Sequence, residues 1–177
     1  MNFFKDYFET LSCGIQNMNI DMLDQVVNVI RSMKRAGGKV IIAGNGASAA
    51  IASHVSVDLT KNTGVKAINF NEADLITCFS NDYGYDKWVE KAIGFYADPK
   101  DLVILVSSSG ASKNIINGAR KAKKMGLKVI TFSGFKPDNP LRKLGDINFW
   151  VDSRVYNMVE ITHSAWLLAM VDRLSEN

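Results

Sequence analysis

An apolar run that ends in serines is the strongest constraint this sequence places on its fold. Leu102 to Val106 has the length and branching of a strand buried on both faces. It passes directly into Ser107, Ser108, Ser109, Gly110, Ala111 and Ser112, after which Lys113 to Met125 reads as an amphipathic helix. A strand feeding a short hydroxyl-rich loop into a helix gathers backbone N–H groups, hydroxyls and the positive helix end around one point. That arrangement suits a phosphate. An ordinary turn with Ser112 as N-cap would need a single hydroxyl. Four hydroxyls in six residues exceed that need.

The rest of the chain repeats the alternation. Residues 2–16 and 20–35 read as helices, the second ended by Gly37 and Gly38. Strands are expected at 39–43, 66–70, 102–106, 128–132 and 147–151. Helices are expected at 47–60, 72–79, 86–95, 113–125 and 156–174, with 80–84 a loop and 134–141 a turn-rich connection. Such alternation implies an α/β fold, a mainly parallel sheet with helices on both faces. Residues 1–177 are read as one domain, with 1–36 an N-terminal helical segment and 37–177 the α/β core and closing helix. Residues 40–48 and 103–112 echo each other as strand, small-residue loop and helix, so both loops should lie beyond the carboxyl ends of strands, where such sheets bind ligands.

Bulk properties narrow the function class. Of 177 residues 47% are hydrophobic and 22% charged, as in soluble globular proteins, and 21 basic against 18 acidic residues give a net charge of +3. The lysines are scattered rather than striped, which argues against nucleic acid. Cys13 and Cys78 have no metal or redox spacing. No signal-peptide core or membrane-length apolar run is present. A soluble cytoplasmic protein is expected. The closing helix is apolar nearly all round, from Val155 to Val171, and its burial is expected to require another subunit, hence a homo-oligomer.

Only two histidines are available. His54 lies four residues before Asp58, so the two share a helix face. Glu160 and His163 form a similar pair on the closing helix. Each pair has a plain reading, an exposed ion pair for the first and a buried, carbonyl-satisfied imidazole for the second. Were the two helices to meet, the four side chains would make a carboxylate–imidazole cluster suited to proton transfer or a divalent metal.

Three motifs together, Gly44-Asn45-Gly46-Ala47-Ser48 with His54 six residues later, Ser80 to Gly84, and Ser107 to Ser112, resemble the sugar isomerase (SIS) domain family. The likeness is strongest to the sedoheptulose 7-phosphate (phosphoheptose) isomerases and spans roughly residues 20–175. It implies a three-layer α/β/α sandwich around a five-stranded parallel sheet, flavodoxin-like and usually assembled as a tetramer. It also implies a phosphate cradle from Ser48, Ser107, Ser108, Ser109 and Ser112, with Asn45, Asn81 and Asp82 near the sugar. The implied reaction interconverts ketose and aldose phosphates through an ene-diol, for activated-heptose and surface polysaccharide synthesis, with no nucleotide cofactor.

Family members often bind zinc through a histidine and a glutamate on one helix and a glutamine and a histidine on the last. His54 matches the first position. Asp58 replaces the glutamate, and Val159 and Leu167 stand at the positions matched to the last two. A remodelled site is therefore expected: Asp58 or Glu160 as base, His163 as proton donor, and His54, Asp58 and His163 as a metal set whose occupancy the sequence leaves open. Two alternatives remain, a non-catalytic phosphosugar-binding or assembly protein of this fold, and an isomerase of another sugar phosphate.

Overall fold

Alternate residues along each central strand enter two different apolar layers, which is why the strands at 40–43 and 102–106 carry no polar face. In the computed structural model, which describes residues 2–176, five strands form: β1 (Val40–Ala43), β2 (Ala67–Ile68), β3 (Leu102–Ser107), β4 (Lys128–Ser133) and β5 (Ile147–Trp150). All pair in parallel, in the order β2-β1-β3-β4-β5, with Val40 opposite Leu102 and Leu102 opposite Lys128. The helices are α1 (Phe3–Gln16), α2 (Ile20–Arg35), α3 (Ala47–Thr63), α4 (Ala73–Tyr83), α5 (Trp88–Tyr96), α6 (Lys113–Lys124) and α7 (Tyr156–Ser175), with a single 3-10 turn at Tyr85–Lys87.

Val40, Ile42, Leu102, Ile104, Val106, Ile130 and Phe132 pack with α2, α3 and α7. Ile41, Ala43, Val103, Leu105 and Val129 pack with α5 and α6 on the other face. The helices following β1 and β3 thus lie on opposite faces, and the crevice between these neighbouring strands is the place where an open parallel sheet accepts a ligand.

Three expectations need correction. The strand at 66–70 shrinks to Ala67–Ile68, because Asn69 and Asn71 turn the chain out of the ladder. Asn69 Oδ1 accepts from Asn71 N–H at 2.9 Å, Asn69 Nδ2 donates to Ser56 Oγ at 2.8 Å, and Asn71 Nδ2 donates to Ala49 O and Ser53 Oγ at 2.8 and 2.7 Å. The loop expected at 80–84 is helical up to Tyr83. Phe79 holds this last turn by packing edge-on against both Tyr83 and Phe95, and Gly84, at φ 86°, stops it.

The third correction concerns α7. Met158, Val159, Thr162, His163, Trp166, Leu167, Met170 and Val171 are all buried within one chain, so this helix does not depend on another subunit for its core face. Exposed apolar side chains cluster on α1, where Phe3, Phe4 and Phe8 are 70%, 69% and 62% exposed. Trp166 Nε1 donates to Ile15 O at 2.8 Å and ties α1 down at its C-terminal end. Among the described residues no helix is long and apolar enough to cross a membrane.

Candidate active site

Two helix N-termini converge on the crevice from the ends of β1 and β3. Among the described residues neither α3 nor α6 receives a side-chain cap at its N-terminus. The Ser112 hydroxyl accepts from Ser107 Oγ at 3.2 Å instead of capping α6. Helix ends left without side-chain partners offer N–H groups and partial positive charge to an anion. Ser48, Ser107 and Ser108 are buried, and Ser109 and Ser112 are partly buried.

The serine loop keeps its shape because the 134–141 connection braces it, a role that connection's turn-rich composition did not suggest. Ser108 O accepts from Gly134 N–H at 2.9 Å and Gly110 O accepts from Leu141 N–H at 3.0 Å. Asn139, itself buried, donates through Nδ2 to Ser133 Oγ and to the carbonyls of Gly134 and Lys136, and accepts from Arg142 N–H. Gly110 sits at φ +64° against this amide, and a Cβ there would lie 2.0 Å from Asn139 Oδ1. Only glycine fits such a position.

From the other crossing, Asn45 reaches α6. Its Nδ2 donates to Asn114 Oδ1 at 2.9 Å, and Asn114 Nδ2 donates back to Asn45 Oδ1 at 2.8 Å. Tyr85 Oη also donates to Asn45 Oδ1, at 3.3 Å. Neither Asn114 nor Tyr85 had a signal in the sequence beyond its nearness to the serine loop and to the Asn81–Asp82 pair. Asn81 and Asp82 are exposed on the last turn of α4, with Asn81 Nδ2 donating to Asp82 Oδ1 at 3.0 Å.

Two acid–base pairs were expected, and only one has the expected form. His54 Nε2 lies 3.2 Å from Asp58 Oδ2, their side chains 59% and 26% exposed. On α7 the pair is split. Glu160 turns to the serine loop and accepts from Ser108 Oγ at 3.0 Å. His163 is fully buried, edge-on to Phe132, with Nε2 3.1 Å from Ser133 O. A carbonyl can only accept, so Nε2 carries the proton, and Nδ1 has no partner among the described residues. Burial pushes this imidazole down to about 4 from 6.5, against the opposing pull of the Ser133 carbonyl.

His163 as an accessible proton donor is therefore a correction, and so is the metal set. Among the described residues no three His, Cys, Asp or Glu side chains come together to hold a metal, so His54, Asp58 and His163 do not form one. The physical reason lies in the faces of α7. Val159, His163 and Leu167 share its core face, and Val159 is pressed against Gly134. The half-buried face lies one residue on and carries Glu160, Ser164 and Leu168. Glu160 and Leu168 keep the eight-residue spacing of Val159 and Leu167, but only Glu160 could donate to a cation. The residues present do not fit a four-donor zinc site within this chain.

Known proteins share this architecture. The SIS domain model matches residues 3–134. A phosphoheptose isomerase of Thermodesulfovibrio yellowstonii is 34% identical over 151 residues, covering 82% of this chain and 75% of the relative. One from Syntrophotalea carbinolica is 30% identical over 179 residues, covering 96% and 91%. The solved structure of a phosphoheptose isomerase from Francisella tularensis superposes with a TM-score of 0.90, covering 98% of this chain and 97% of that one at 24% identity. With a matching domain model over well more than half its length and relatives of this identity and coverage, the chain belongs to the SIS domain family and, within it, to the phosphoheptose isomerases.

Proposed function

We propose that this protein is an aldose–ketose isomerase interconverting sedoheptulose 7-phosphate and an aldoheptose 7-phosphate by proton transfer through an ene-diol. The observation that carries the reading is Glu160 hydrogen-bonded to Ser108, which sets a carboxylate from the closing helix against a loop built for an anion. Ser48, Ser107, Ser109 and Ser112, with the open ends of α3 and α6, hold the phosphate. Asp58, partly shielded and paired with His54, takes the proton from the carbon next to the carbonyl and returns it to the former carbonyl carbon. Glu160 carries a proton between the two sugar oxygens, the task His163 is too deeply buried to perform. Asn81 and Asp82 lie nearest to solvent and contact the distal hydroxyls. These steps are assigned to side chains alone, since no three His, Cys, Asp or Glu side chains come together among the described residues.

The bare aromatic face of α1 supports self-association, with a tetramer as the expected state. Two unpaired cysteines support a reducing cytoplasmic setting. The test is conversion of the ketose phosphate in deuterated water. Deuterium entering the aldose product supports the isomerase. Phosphosugar binding without exchange selects the binding-protein alternative, which the loss of donors at Val159 and Leu167 favours. Exchange with a shorter sugar phosphate but not with the heptose selects a different substrate.

A further inference from the structure

We propose that Asn114 and Tyr85 fix the Asn45 amide so that it meets the sugar only as a hydrogen-bond donor, making Asn114 a positioning residue for the isomerisation. The inference rests on the isomerase reading above. An amide has two N–H donors and an oxygen with two lone pairs. One Asn45 N–H is spent on Asn114 Oδ1, and both lone pairs of Asn45 Oδ1 are taken by Asn114 Nδ2 and Tyr85 Oη. One N–H remains, on the edge of the amide turned away from Asn114. Asn114 is only 2% exposed, so its half of the pair is held by the packing of α6 rather than by solvent.

A group that can only donate suits an oxygen that gains charge. When the base removes the proton next to the carbonyl, the C–H electron pair becomes the new C=C bond and the carbonyl π pair moves onto oxygen. The free Asn45 N–H then faces a stronger acceptor than it did in the bound ketose, and this is the differential contact that lowers a barrier. Were the amide free to turn, it would offer its oxygen to the same place half the time and repel the developing charge.

Asn114→Asp provides a test that separates positioning from mere support. When protonated, the introduced carboxyl has the outline of the amide, donates its O–H to Asn45 Oδ1 and accepts from Nδ2, so the reciprocal pair is rebuilt. When ionised, it sets an oxygen against Asn45 Oδ1 and breaks the pair. Burial raises the pKa of such a carboxyl and the open N-terminus of α6 lowers it, so the ratio is followed over the whole pH range in which the protein stays folded. The ratio of Asn114→Asp kcat to wild-type kcat is expected to rise at least about tenfold from about pH 8 to about pH 5. Asn114→Ala should lower kcat about 10- to 100-fold at every pH with KM changed less than about threefold, since the serine cradle is intact. Tyr85→Phe, at an exposed position that folding does not need, should lower kcat about three- to tenfold.

A flat Asn114→Asp ratio equal to that of Asn114→Ala, or a rise in KM at unchanged kcat, overturns the proposal. A wild-type protein that exchanges no deuterium into any heptose phosphate overturns the isomerase reading instead. The pairing is then read directly from the ¹⁵N side-chain amide signals of Asn45 with inorganic phosphate bound. A pH-dependent shift found in Asn114→Asp and missing from wild type supports the fixed amide, and identical behaviour in the two contradicts it.

Discussion

The two histidines of this chain sit on helices that pack against each other, yet they live in different solvents. His54 on α3 is 59% exposed and pairs with Asp58, while His163 on α7 is sealed against Phe132 and the Ser133 carbonyl. A histidine near a candidate site is not thereby part of it. What decides is the helix face, and on α7 one step along the sequence separates the core face of His163 from the half-buried face of Glu160. The difference predicts opposite consequences for substitutions only three residues apart.

The sharpest break between the two faces is expected from charge removal. Glu160→Gln and Asp58→Asn should each lower kcat about 10²- to 10⁴-fold while leaving the thermal midpoint nearly unchanged. His163→Ala should do the reverse. It opens a cavity beside Phe132 and removes one donor from the Ser133 carbonyl, which keeps the Val151 N–H, costing about 2–4 kcal/mol in a denaturant titration. The activity of the protein that remains folded should be largely kept.

The same comparison can be made with pH. His163 has its folded pKa depressed to about 4 from 6.5. Above 6.5 both states hold the ring neutral and it contributes nothing to the pH dependence. As pH falls below 6.5 the unfolded chain takes up a proton that the folded chain refuses, so stability declines until about 4, where both are charged. The loss amounts to about 3 kcal/mol and should vanish from the unfolding profile of His163→Gln. His54→Gln, at an exposed position, should shift stability by no more than about 0.5 kcal/mol.

Much of this architecture was legible in the residues. Apolar runs gave the strands beginning at 40, 102, 128 and 147, while 66–70 overstated a two-residue strand, and the strand–serine–helix crossing identified the ligand end of the sheet. The failures share one cause. Periodicity locates apolar faces, but α7 is apolar nearly all round, so nothing in its pattern distinguished the face of Val159, His163 and Leu167 from that of Glu160 and Leu168. The Asn45–Asn114 pair joins residues 69 apart, and Ser108–Glu160 joins residues 52 apart. Such side-chain bonds leave no trace in local spacing. The 134–141 connection shows the same limit, since its turn composition says nothing of Asn139 lying against Gly110.

Two smaller effects refine the picture. A chelator should leave turnover within about twofold of the untreated rate, the result expected when Asp58 and Glu160 act without a metal. Replacing Phe4 and Phe8 on α1 by Ser should reduce the mass in solution measured by light scattering, while activity per folded chain tests whether the site draws on a neighbour.

The most direct measurement is deuterium incorporation into the product by NMR, run in parallel for wild type, Glu160→Gln and His163→Gln, each verified as folded. Incorporation is expected in wild type and in His163→Gln and should be lost in Glu160→Gln. Retention by the Glu160 variant, with loss in a folded His163 variant, would return the chemistry to the buried imidazole and contradict the account.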